Sequence, residues 1–138
     1  MLKTLLISFT AIALVSPAFA EGDAAKGEKS FKKCKACHMI ADGDNIIFKG
    51  GKTGPNLYDV LGRTAGTVEG FRYGDDIVAA GTAGLVWDTD NLVSYLANPK
   101  GFLQETLDDS GAKSKMSFKL AKGGEDIVAY LGSVAPAQ

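Results

Sequence analysis

Histidine occurs once in these 138 residues, cysteine twice, tryptophan once and methionine three times. Each shortage excludes something. A structural zinc site takes four ligands, commonly thiolates and imidazoles in pairs, and two thiols with one imidazole fall short. One histidine also rules out a metal held by two imidazoles of this chain. Past the first twenty residues no apolar run is long enough to span a bilayer, which takes about twenty residues. Repeats, low-complexity tracts and Pro/Gly-rich linkers are absent, so one domain is expected. With a pI near 5.8 and no interleaving of aromatic and basic residues, nucleic acid is not an expected partner.

The scarce residues fall together. Cys34-Lys35-Ala36-Cys37-His38 uses both cysteines and the only histidine. C-x-x-C-H is the attachment sequence for a c-type haem. Two thiols separated by two residues reach the two vinyl groups along one side of a porphyrin. The histidine that follows then arrives over the ring face, within bonding distance of iron. The alternatives explain less. A thioredoxin-like C-x-x-C follows a strand in a βαβ pattern, whereas the residues before Cys34 read as helix. A plain disulfide would close a two-residue loop and constrain the chain little. Neither accounts for the adjacent histidine.

Residues 1–20 read as a secretion signal. Lys3 gives the positive end and residues 5–15 the apolar stretch; Ser16 and Pro17 break it, and Ala18-Phe19-Ala20 is an A-x-A cleavage site. The expected mature domain is 21–138, exported to the periplasm. Export suits thioether formation, which needs reduced thiols and takes place outside the bacterial cytoplasm. A domain this short buries a modest core, and a covalently held haem gives it an apolar plate to pack around.

Charge is nearly balanced overall but segregated. From 26 to 52 there are seven lysines against Glu28, Asp42 and Asp44, and from 113 to 122 four lysines and no acid. Between them, 53–112 holds three basic and nine acidic residues. The basic segments are those carrying the C-x-x-C-H and Met116. A basic face of this kind steers a protein onto acidic partners.

The pattern predicts a mostly α domain of short helices and long loops. A first helix is expected over about 23–35 with Asp23 as N-cap, and Gly27 suggests a close helix crossing. Ile46-Ile47-Phe48 reads as a hairpin edge, 56–61 as a helical turn, and 75–80 as a short helix ended by Gly81. Asp88 caps a helix whose Leu92, Tyr95 and Leu96 share a face and which Asn98-Pro99 ends. A short turn at 100–104 and a polar loop over 105–115 follow. The last helix, about 124–134, has Ile127, Val128, Tyr130 and Leu131 on its apolar face.

A second axial position on the iron must be open or filled. Lysine could fill it only when deprotonated, which it is not at neutral pH. Of the methionines, Met1 goes with the signal and Met39 is tied beside His38, leaving Met116. It lies in the polar stretch Ser114-Lys115-Met116-Ser117-Phe118, where a core methionine has no obvious partners. Thioether sulfur favours ferrous iron and raises the reduction potential. A filled sixth site also blocks oxygen and peroxide, which leaves electron carriage.

These residues come in an order that resembles the class I cytochromes c, and the cytochrome c2 family of photosynthetic and related bacteria most of all. The matching segments are Gly22-Asp23-Ala24-Ala25-Lys26-Gly27-Glu28-Lys29 before Cys34, Thr53-Gly54-Pro55-Asn56-Leu57-Tyr58, Leu61-Gly62-Arg63-Thr64-Ala65-Gly66, Phe71-Arg72-Tyr73, Trp87, Tyr95-Leu96-Ala97-Asn98-Pro99, Lys115-Met116-Ser117-Phe118 and Val128-Ala129-Tyr130-Leu131. The resemblance implies a small class I cytochrome c fold around one covalent haem c. Cys34 and Cys37 would carry the thioethers, and His38 and Met116 would be the axial iron ligands. Pro55 would accept from the His38 imidazole. Arg63, Tyr73 and Trp87 would bond around a haem propionate, Tyr95 would donate toward the Met116 sulfur or a nearby water, and Phe118 would cover the exposed edge. Gly27, Phe31, Ile127 and Tyr130 would form the crossing of first and last helices. The stretches 74–84 and 107–112 are longer than in the mitochondrial form, and no role carries into the first.

The function so implied is one-electron carriage, not enzymatic catalysis, from a cytochrome bc1 complex to a photosynthetic reaction centre or a terminal oxidase or reductase, by a monomer that docks transiently on membrane complexes. Lys32, Lys33, Lys35, Lys52, Lys100, Lys113, Lys115 and Lys119 would surround the haem edge, with Lys35, Lys115 and Lys119 nearest the iron ligands in sequence. The rival is a haem protein with a displaceable sixth ligand, peroxidase-like or ligand-binding. Five-coordinate cytochromes c′, however, carry the motif near the C-terminus, and c-type peroxidases carry two.

Overall fold

The computed structural model describes residues 22–136, so the leader expected over 1–20 lies outside the described residues. Among those described, five helices and one hairpin follow in the order α1 (Ala24–Phe31), β1 (Ile40–Asp42), β2 (Asn45–Phe48), α2 (Asp75–Thr82), α3 (Thr89–Ala97), α4 (Pro99–Leu107) and α5 (Gly124–Ser133). The mostly α class and the long loops agree with the sequence.

Two helices make the frame. Asp23 caps α1, its carboxylate accepting from the Lys26 N–H at 3.1 Å. The Asp23 N–H in turn donates to the Asp126 carboxylate of α5 at 2.7 Å, tying the helix starts together. Where the two cross, a Cβ on Gly27 would overlap the Asp126 carbonyl and come within 2.7 Å of the Tyr130 Cβ, so only glycine permits the approach. Phe31 is fully buried beside the crossing, its ring 5.7 Å from Tyr130 and 4.8 Å from Phe48. Ile127 and Val128 are equally buried on α5, and each such side chain contributes about 1.5–3 kcal/mol. Helix α3 packs on α5 and on α4, and α2 on α4.

Four local expectations need correction. Helix α1 stops at Phe31, not near Lys35, because the chain tightens: Lys33 and Cys34 donate three residues back, to Ser30 and Phe31. No helical turn forms over 56–61. Asp59 takes a left-handed φ of 53°, and the carbonyls of Asn56 and Tyr58 are claimed by Arg63 at 3.2 and 3.1 Å. Gly81 does not end α2, which runs on to Thr82; it sits inside the helix where a Cβ would overlap the Ala65 carbonyl. Residues 100–104 are not a short turn, nor is 105–107 loop. Both belong to α4, which Pro99 opens with its preset φ, the buried Leu103 anchors, and Asp108 closes in the left-handed conformation.

The remaining elements stand as expected. Asp88 and Asn91 form a reciprocal cap on α3, and β1 and β2 pair antiparallel across Gly43-Asp44. Between hairpin and α3 the chain is held by a short pairing of extended segments. Gly62 donates to the Trp87 carbonyl at 2.7 Å, Trp87 to Arg63 at 2.9 Å, and Ala65 to Leu85 at 2.9 Å. This fixes Arg63 and Trp87 side by side.

Candidate haem site

An apolar cavity of about 380 Å³ opens among the five helices and the loops 49–74 and 108–123. Cys34, Cys37 and His38 border it from one segment, Met116 and Phe118 from another, and Pro55, Arg63, Tyr73, Trp87 and Tyr95 complete the set expected from the sequence. Much of the rest of the wall comes from the apolar faces of α3 and α5, through Leu92, Leu96, Ile127 and Leu131. The same periodicity that reads as core therefore also builds the cavity.

The turn after α1 places the motif. His38 donates its backbone N–H to Cys34 at 2.9 Å, and the following strand of chain lies across it: Gly51 donates to Lys35 and Gly54 to Cys37, both at 2.8 Å. His38 Nδ1 stands 2.8 Å from the Pro55 carbonyl oxygen. A carbonyl can only accept, so the proton is on Nδ1 and the lone pair on Nε2. Burial pushes the imidazole pKa below its ordinary value, opposed in part by the Pro55 carbonyl, which favours the neutral ring. Cys34 is half-buried and Cys37 exposed, and both thiols are free. Burial raises the Cys34 pKa. Among the described residues no three His, Cys, Asp or Glu side chains cluster as a metal site.

Met116, also on the cavity wall, is half-buried in a loop without regular structure. The Tyr95 hydroxyl lies 3.4 Å from Ser114 Oγ, so its partner is that hydroxyl and not the methionine sulfur. Arg63 spends two of its nitrogens on backbone carbonyls, and the Tyr73 hydroxyl accepts from the Val68 N–H at 3.3 Å. Trp87 packs at 5.0 Å from the Tyr95 ring and 6.0 Å from Phe102. Phe118 is 43% exposed at the rim. Lys115 lines the mouth, joined there by Lys33 and Lys113; Lys35 and Lys119 are exposed without lining it.

Sequence reasoning missed Ile77 and Leu103, which also line the cavity. Ile77 lies in the stretch to which no role was carried. Leu103 was hidden by Pro99 and Gly101, which made its helix look like a turn.

The residues present fit a haem: the cavity is apolar, and its wall holds two free thiols, a tautomer-fixed imidazole and a thioether. No family model matches the chain. Individual relatives do. Cytochrome c-551 of Roseobacter denitrificans is 60% identical over 136 residues, covering 98% of this chain and 97% of that one. Cytochrome c2 of Rhodobacter capsulatus is 59% identical over 126 residues, 90% of each. The chain belongs to the cytochrome c2 family. Solved structures agree: cytochrome c2 of Rhodobacter capsulatus superposes with a TM-score of 0.80 at 59% identity, over 82% of this chain and 98% of that one. Ferric cytochrome c-550 of Paracoccus versutus gives 0.81 at 53%, over 84% and 100%. As a cytochrome of this family the chain is an electron carrier with one covalently attached haem c, not an enzyme, and it shuttles electrons to membrane complexes. Among the described residues no helix is long and apolar enough to cross a membrane.

Proposed function

We propose that this cytochrome is a monomeric periplasmic shuttle, led out of the cytoplasm by residues 1–20, with its iron held between His38 and Met116. Electrons come from a cytochrome bc1 complex and pass to a photosynthetic reaction centre or a terminal oxidase or reductase. One observation carries the reading: the only histidine and Met116 border a single apolar cavity from segments far apart in sequence, with both thiols beside the histidine.

When bound, the haem supplies a reversible one-electron change at iron. The chain does the rest. Cys34 and Cys37 anchor the group. The Pro55 carbonyl holds the His38 ring and raises the basicity of Nε2, as such partners do for metal-bound imidazoles. Met116 offers a neutral sulfur that favours the reduced state and closes the site to small ligands. The apolar walls exclude water, so little solvent must reorganise as charge changes. At the mouth, Lys33, Lys113 and Lys115, with Lys35 and Lys119 nearby, present positive charge toward acidic docking faces.

The test is the absorption spectrum of the ferric protein. Wild type should show the weak band at the near-infrared edge that marks methionine sulfur on ferric haem, and Met116→Ala should lose it. Haem without that band in wild type would refute the ligand assignment.

A further inference from the structure

The segment that carries Met116 has almost nothing of its own to hold it. Among the described residues, no backbone N–H from Lys113 to Lys119 pairs with a backbone carbonyl, and regular pairing resumes only where Leu120 donates to Leu96 at 2.8 Å. Three side-chain contacts fix it instead. The Lys113 N–H donates to Asp76 Oδ2 at 2.8 Å, Lys115 Nζ donates to the Arg72 carbonyl at 3.0 Å, and Ser114 meets the Tyr95 hydroxyl at 3.4 Å.

The first differs in kind. Asp76 is half-buried in the first turn of α2, a helix anchored by the buried Ala80 and by Gly81 pressed on the Ala65 carbonyl. Its carboxylate accepts from a place on a helix, and hydrogen bonds to carboxylates are about twice as strong as those to neutral acceptors. The lysine tether, by contrast, hangs on a flexible, exposed stem.

We propose that Asp76 is a positioning residue for Met116: it clamps the start of the methionine segment to α2 and sets how often that segment swings off the iron. This gives the stretch 74–84 a task, and it rests on the reading that Met116 is the sixth ligand. An external ligand binds only the swung-out state, so its apparent affinity scales with the fraction of that state.

The experiment is imidazole titration of the ferric holoprotein, followed by absorbance. Asp76→Ala should bind imidazole about five- to ten-fold more tightly, as loss of one charge-assisted bond at a part-exposed site allows. Asp76→Asn, which keeps a neutral acceptor oxygen, should fall between the two, about two- to three-fold tighter than wild type. Asp75→Ala removes an equivalent charge from the same helix turn, one that does not hydrogen-bond to the loop, and should match wild type. An unchanged Asp76→Ala, or an equal rise in Asp75→Ala, overturns the assignment. Met116→Ala separates the two levels. It should bind far more tightly than any of these; if it matches wild type, the sixth-ligand reading itself has failed and the clamp falls with it.

Discussion

The carbonyl oxygen of Pro55 and Nδ1 of His38 lie 2.8 Å apart, and the imidazole rests against the backbone of Gly54, the residue before Pro55. A Cβ at Gly54 would stand 2.6 Å from Nδ1 and 2.8 Å from Nε2. Gly54→Ala should therefore turn the ring away from the Pro55 carbonyl. The cost is expected at the upper end of about 1–3 kcal/mol for overpacking, read by denaturant unfolding of the holoprotein. A parallel change in the Soret spectrum would locate the damage at the iron.

Gly27 makes a second such contact, off the cavity wall. Gly27→Ala forces α1 off α5 at the Asp126 carbonyl, where backbone meets backbone and neither can yield. Stability should fall by about 2–3 kcal/mol with the ferric spectrum at neutral pH unchanged. A loss below about 0.5 kcal/mol, the scale of neutral surface changes, would mean that the helices can slide apart.

The Tyr95 hydroxyl titrates above its ordinary value, chiefly because burial disfavours the phenolate, opposed by its bond to Ser114. A folded-state pKa above the unfolded one means the native state holds its proton more tightly. That contribution is complete below the ordinary value near 10 and is lost as pH rises through the folded pKa. Unfolding free energy should drop more steeply above pH 10 in wild type than in Tyr95→Phe, which chemical denaturation at stepped pH would show.

Docking should depend on charge at the cavity mouth. Lys115 and Lys113 line it, and Lys119 is exposed just beyond. Reversal in Lys113→Glu or Lys119→Glu should slow electron transfer with isolated bc1 complex or reaction centre several-fold at low salt. The difference should shrink at 0.15 M ionic strength, where screening acts over about 8 Å. Equal rates at low salt would remove steering by these lysines.

Sequence and structure part company at identifiable places. The site was legible because its residues are rare or locally spaced: two cysteines, one histidine, and Met116 as the methionine free to serve. Helices α3 and α5 were legible because capping by Asp88 and the apolar faces are short-range signals. Helix α4 was not, since its opening Pro99-Lys100-Gly101 reads as a turn and its reason to be helical, the buried Leu103, is tertiary. Arg63 gathering the carbonyls of Asn56 and Tyr58, and Asp76 reaching Lys113, join segments by geometry that no local pattern encodes.

A potentiometric titration of wild type and Met116→Ala reaches the central claim most directly, because it reads the electron itself. Wild type should give one reversible wave with a slope of about 59 mV per decade, the one-electron value, and Met116→Ala should move its midpoint to a clearly lower potential as the sulfur's preference for ferrous iron is lost. An unchanged midpoint in the variant, or a wild type with no single reversible wave, would contradict an electron carrier built on His38 and Met116.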